Sequence, residues 1–149
     1  YEHLSGIRYL NFLADVYGVD EATRNERVKK YAELFEIDDR LGDLIGSCSH
    51  GMRQKIALIG ALLSEPKLLL LDEPFVGLDP KASHTLKQLM HELTEGGAAI
   101  FFSTHVLEVA EKLCNKVAII KSGRLIACGS MDAVRGDSSL EDVFLELTE

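Results

Sequence analysis

The sequence predicts an α/β fold, and three observations carry the prediction. Apolar runs of strand length stand at 68–72 (LLLLD), 98–104 (AAIFFST) and 117–121 (VAIIK), and runs that are apolar at consecutive positions suit strands buried on both faces of a parallel sheet. Helical spacing from Lys81 to Leu93 and from Val106 to Leu113 separates these runs, which gives a β-α-β-α-β alternation. Three helical stretches come before the alternation and one comes after it.

The first helix is marked by Leu4, Ile7, Leu10, Ala14 and Tyr17 on one face, with Gly18 as its stop. Asp20 is placed to cap a second helix, whose apolar face is Val28, Tyr31, Ala32 and Phe35. The linker DDRLGDLIGSC follows, interrupted by Gly42 and Gly46. After Ser49 the spacing Met52, Ile56, Ile59, Leu63 restores a helix, and Pro66 ends it by excluding helical geometry from the residue before it. Beyond the third apolar run, GRLIACGS predicts a short further strand. Ser138 with Glu141 predicts a capping box for a last helix bearing Leu140, Val143, Phe144 and Leu147. The expected organisation is a helical subdomain at 4–48, a helix segment at 49–66, an α/β part at 67–135 and a C-terminal helix at 136–149.

At 149 residues, with 46% hydrophobic and 27% charged side chains, the chain has the length and composition of one ordinary globular domain, so disorder is not expected. A formal net charge of −8 argues against a nucleic-acid surface, which needs a basic stripe to neutralise phosphates. Cys48, Cys114 and Cys128 are odd in number and form no CxxC pair, which favours a reducing, cytoplasmic setting over a disulfide frame or a zinc site. No apolar run approaches the ~20 residues that cross a bilayer. The sequence opens at Tyr1, within the approach to a helix, and is expected to be a fragment with residues upstream.

The chemistry lies at the ends of the apolar runs. In an open parallel sheet, ligands bind beyond the carboxyl ends of the strands. Asp72 and Glu73 stand at one such end, where unpaired charge beside a core is costly, and His105 stands at another. Each alone reads as easily as a cap or turn residue. Together they form a coherent set for phosphate hydrolysis: one carboxylate holds Mg²⁺, the next orients or deprotonates water, and an imidazole steadies a γ-phosphate. A helix opening at Ser49-His50-Gly51 offers unpaired N–H groups and a positive dipole end to an anion, although Ser49 also reads as a plain N-cap. Asp79-Pro80 reads as an N-cap followed by a proline in the first helical position.

These residues resemble the ATP-binding subunit of an ATP-binding cassette (ABC) transporter, from just after the Q-loop of that family to its end. SHGM at 49–52 is similar to the signature SGGQ, LLLLDE at 68–73 to Walker B, GLDP at 77–80 to the D-loop, and STH at 103–105 to the switch histidine. The resemblance implies an incomplete P-loop NTPase-like parallel sheet with an inserted helical subdomain. It also implies that ATP and Mg²⁺ are bound, with Asp72 assisting the metal, Glu73 as the catalytic carboxylate and His105 on the γ-phosphate. Ser49, His50, Gly51 and Met52 would face the nucleotide of a second, head-to-tail nucleotide-binding subunit, with Asp79 at the same interface. The region from Leu4 to Cys48 resembles the part that docks membrane permease subunits, and SLEDVFLELTE resembles bacterial ABC-2-type exporter subunits. A place on the inner face of the cell membrane follows from that likeness.

Two departures stand out within the signature: His50 replaces a glycine and Met52 a glutamine. A third is larger. The only glycine pair at P-loop separation, Gly46 and Gly51, is followed by Met52, so GxxxxGK[ST] is absent and the strand that carries it in relatives is expected to be missing. The isolated segment is therefore expected to have negligible ATPase activity and to bind ATP more weakly than about millimolar. Two apolar strand edges left open would favour dimerisation, strand exchange or aggregation. A cytosolic, non-transport ABC ATPase and a non-catalytic interaction module are the rival readings, and the acidic balance disfavours relatives that act on ribosomes or DNA.

Overall fold

A computed structural model describes residues 1–148; Glu149, which the expected C-terminal helix includes, lies outside the described residues. The chain forms two compact units, Tyr1–Ser103 and a second from Thr104 onward.

The first unit opens with helix α1 (Gly6–Val16), capped by Ser5, whose hydroxyl accepts from Arg8 N. Asp20 caps α2 (Glu21–Leu34), accepting from Thr23 N at 3.0 Å and from the Thr23 hydroxyl at 2.6 Å. Short 3-10 turns at Asp38–Arg40 and Ile45–Ser47 lead to α3 (His50–Leu62), capped by Ser49. Strand β1 (Leu68–Leu71), helix α4 (Pro80–Glu95) and strand β2 (Ala99–Phe102) complete the unit as a β-α-β crossover. β1 and β2 run parallel, with Leu68 opposite Ala99 and Leu71 opposite Phe102.

A single core joins these elements. Leu10 and Ala14 of α1, Val28, Tyr31 and Ala32 of α2, and Ile56, Ile59 and Leu62 of α3 meet Leu69 of β1 and Leu86, Leu89 and Met90 of α4. Full burial of each large aliphatic contributes about 1.5–3 kcal/mol, and the predicted helix faces match this core. Two residues of the expected first face lie outside both α1 and the core: Leu4, before the helix begins, and Tyr17, half exposed one residue past its end.

Burial of the strands on both faces is not observed. Leu69 is 5% exposed, but Leu68, Leu70 and Phe101 are 57%, 66% and 64% exposed. Side chains alternate across a strand, and paired residues in register share a face. Leu69, Leu71, Ile100 and Phe102 therefore pack on the core while Leu68, Leu70 and Phe101 form an outward apolar face.

The second unit contains α5 (Leu107–Leu113), β3 (Lys116–Lys121), β4 (Arg124–Ser130), α6 (Met131–Arg135) and α7 (Leu140–Thr148). The 117–121 run is not a third parallel strand: β3 pairs antiparallel with β4 around a tight turn at Ser122-Gly123, with an irregularity at Ile119/Ile120. The two residues between the strands explain the pairing, since so short a connection joins only antiparallel neighbours. Helix α6, capped by Ser130, is unforeseen in the sequence reading. The capping box of the last helix sits one residue later than expected: Ser139 Oγ accepts from Asp142 N at 3.0 Å, and Asp142 Oδ2 accepts from Ser139 N at 3.3 Å. Ala110, Ile119, Met131 and Leu140 form this unit's core.

Candidate nucleotide-hydrolysis site

The carboxyl ends of β1 and β2 are stitched together by one side chain. Ser103 N donates to Leu71 O at 3.0 Å and extends the ladder by a residue. Its hydroxyl then donates to Asp72 Oδ1 in a short hydrogen bond and accepts from Glu73 N at 3.0 Å. Ser103 thereby fixes the Asp72 side chain and the Glu73 backbone together. The other Asp72 oxygen has no partner among the described residues and opens on the exposed rim. The desolvation cost expected for adjacent carboxylates is small here, because Asp72 is exposed and Glu73 half-buried.

Glu73 has φ +45°, in the left-handed region. A residue with a Cβ occupies that region at a cost of about 1–2 kcal/mol. The kink ends the strand and starts a compact loop in which Val76 N donates to Glu73 O at 3.1 Å and Leu78 N to Phe75 O at 3.3 Å. Pro74 is buried, and Phe75 packs edge-on against Phe102 with ring centroids 6.0 Å apart.

This loop rests on the amino end of α3. Ser49 Oγ accepts from Met52 N at 3.2 Å, which leaves the His50 and Gly51 amides without intrahelical acceptors. Gly51 touches the loop so closely that a Cβ there would lie 2.6 Å from Gly77 O. Gly77, at φ +81°, lies under the His50 ring, and a Cβ on it would be 2.2 Å from His50 Cδ2. The Met52 side chain joins the edge of the core.

Asp79 ends the loop with both oxygens engaged within the chain. Oδ1 accepts from Ala82 N at 2.8 Å, capping α4, and Oδ2 meets Lys55 Nζ of α3 at 2.9 Å. The bond from Ala82, and after it that from Lys55, holds this carboxyl below the ordinary carboxylate range. Pro80 takes the first helical position, as the sequence indicated.

The first unit thus gathers Asp72 and Glu73 at one rim, and Ser49, His50, Gly51 and Met52 at the helix end packed on the same loop that carries Asp79. His105 belongs to the second unit, exposed, two residues before α5. Ser103 and Gly77 lie inside the STH and GLDP motifs, where the resemblance assigns them no role of their own; Gln54 and Lys55 lie outside every motif. The position of Ser103 directly after an apolar strand, level with Asp72, was a usable signal; no spacing rule links Lys55 to Asp79.

The oxygen donors at the rim, a carboxylate with a serine hydroxyl beside it, suit Mg²⁺, which commonly takes one or two carboxylates and completes its shell with water and substrate phosphate. No cluster of three or more His, Cys, Asp or Glu that could hold a metal occurs among the described residues.

Comparison with known proteins shows what the chain is similar to. Residues 7–111 match the family model described as "AAA domain, putative AbiEii toxin, Type IV TA system". The chain is 36% identical to the ABC-type transporter ATP-binding protein EcsA of Bacillus subtilis, over all of this chain and 62% of that protein. It is 37% identical to the Nod factor export ATP-binding protein I of Cupriavidus metallidurans, over 84% of this chain and 41% of that one. A solved structure of the ATP-binding subunit of an ABC transporter superposes with a TM-score of 0.94 at 38% identity, over the whole of this chain and 64% of the other. The chain therefore spans less than two thirds of the length of these relatives. The family that SHGM, LLLLDE, GLDP and STH resemble is the one these relatives represent. The chain belongs to the AAA-domain family that this model describes and is homologous to ATP-binding proteins of ABC transporters.

Proposed function

We propose that the full protein binds and hydrolyses ATP as the nucleotide-binding subunit of an ABC transporter and drives substrate export through separate membrane permease subunits. The observation that carries this reading is the rim at which Ser103 binds both Asp72 and the amide of Glu73, on a loop packed against the helix start at Ser49. In this reading Asp72 helps to hold Mg²⁺ through its open oxygen, and the bound metal offsets charge on the phosphates. Glu73 orients and deprotonates the attacking water. His105 contacts the γ-phosphate. Ser49, His50, Gly51 and Met52 present the helix start to nucleotide held by a second copy, with Asp79 at the same interface.

The family relation and the export-related relative support the transport role, with permeation assigned to partner subunits; among the described residues no helix is long and apolar enough to cross a membrane. The working position is peripheral, on the inner face of the membrane. The stretch 1–149 alone, without a P-loop, turns over negligible ATP. The test is Glu73→Gln in the full-length protein, with ATP binding and phosphate release both measured. Binding retained and turnover lowered by about 10²-fold or more is expected for loss of a catalytic base; unchanged turnover refutes the assignment.

A further inference from the structure

The loop that leaves Glu73 is fastened to α3 at both of its ends. At the near end, Gln54 Nε2 donates to Pro74 O at 3.2 Å. At the far end, Lys55 Nζ meets Asp79 Oδ2 at 2.9 Å. Between them lies the contact of Gly51 and His50 with Gly77. Lys55 differs from Lys29, Lys81 and Lys112, which also form ion pairs. Its side chain is 14% exposed, whereas those of Lys29, Lys81 and Lys112 are 77%, 69% and 70% exposed. A solvated lysine pair contributes little and holds little in place. With most of its stem packed and its ammonium on a half-exposed carboxylate, Lys55 has little freedom to re-pair, so its ion pair holds Asp79 in one place.

We propose that Lys55 and Gln54 are positioning residues for ATP hydrolysis: they clamp the 74–79 loop to α3, so that the Ser49-Gly51 helix start and the Asp72-Glu73 rim move together. The proposal rests on the hydrolysis reading above and adds a cis linkage to it. Asp79 is central to the clamp, because one of its oxygens is committed to α4 and the other to α3. A displacement imposed on the helix start by a bound partner is then passed directly to the loop that sets the Glu73 backbone. Neither clamp residue touches the reacting atoms. Its loss therefore slows the chemical step while leaving the affinity for ATP nearly intact.

The test uses the full-length protein, with ATP turnover measured against ATP concentration for Lys55→Met, Lys55→Arg and Glu73→Gln. For Lys55→Met the expected result is a kcat lowered about tenfold with KM changed less than about twofold, the pattern of a misplaced catalytic group. Lys55→Arg, which keeps the charge near Asp79, should recover most of that loss. If Lys55→Met does not fold, Gln54→Ala removes one hydrogen bond at the other end of the clamp and should lower kcat about threefold with KM unchanged. The clamp is overturned if Lys55→Met, or Gln54→Ala in its place, turns over at the wild-type rate. It is also overturned if Lys55→Arg and Lys55→Met are equally slow, which would indicate packing rather than the ion pair. Glu73→Gln separates the two ideas. Lost turnover in Glu73→Gln beside normal turnover in the clamp variants rejects the clamp alone, whereas normal turnover in Glu73→Gln rejects the hydrolysis reading beneath it.

Discussion

Gly51→Ala is the substitution whose sign the structure reverses. In a helix, replacing glycine by alanine ordinarily stabilises by about 0.5–1 kcal/mol, because alanine loses less backbone entropy. At position 51 the new Cβ would lie 2.6 Å from Gly77 O, and that oxygen belongs to the backbone and cannot rotate aside. Relief requires α3 and the loop to separate by roughly half an ångström, which weakens the 3.2 Å bond from Gln54 to Pro74 O. Overpacking of this kind costs about 1–3 kcal/mol and a lost hydrogen bond about 1 kcal/mol more. After subtraction of the helix gain, the net expectation is a loss of about 1–3 kcal/mol. Equilibrium urea unfolding followed by circular dichroism reads this directly, with Gly42→Ala as a control, since nothing lies within 4 Å of a Cβ at Gly42. A Gly51→Ala protein as stable as the wild type, or more stable, would refute the claim that α3 and the loop are in backbone contact.

Three further outcomes are expected. Ile59→Ala, at a fully buried position of α3, should cost about 2–5 kcal/mol in the same unfolding assay, and a cost under about 1 kcal/mol would contradict the packing described. Asp79→Asn should lose stability in a pH-dependent way. A carboxyl depressed in the folded state binds fewer protons there than when unfolded, so its contribution is complete above the ordinary carboxylate range and disappears as pH falls through the depressed value. The stability gap between wild type and Asp79→Asn should therefore close on acidification, and a gap constant with pH would exclude the ion pair as its source. Finally, the segment 1–149 should self-associate through Leu70 and Phe101, which face outward as a registered pair, and lysine at both positions should suppress this; light scattering that finds a concentrated wild-type segment monomeric would sink the expectation.

Where sequence and structure agree, the determinants are local. Ser49, Asp20 and Asp79 each cap the helix assigned to them, because a cap needs only a side-chain oxygen and the next three residues. The buried faces of α2 and α3 follow from helical periodicity for the same reason. Strand partnership is not local. The run VAIIK is apolar enough for a buried parallel strand, yet the Ser122-Gly123 turn commits it to a hairpin with β4. The LLLLD run satisfies the pattern for burial on both faces, but in this chain only its inward face meets the core. At the candidate site, Asp72 and Glu73 were legible because they end an apolar run. Lys55 was not, because its significance depends on Asp79, which lies 24 residues further along the chain.

The backbone of Glu73 bears on efforts to make this protein hardier. At φ +45° a glycine or an asparagine would sit more comfortably than glutamate. A screen that rewarded heat resistance alone would thus tend to favour residues that relax this kink, and each would remove the carboxylate. Tolerance to heat and turnover are set against each other at this position by the torsion of a single residue.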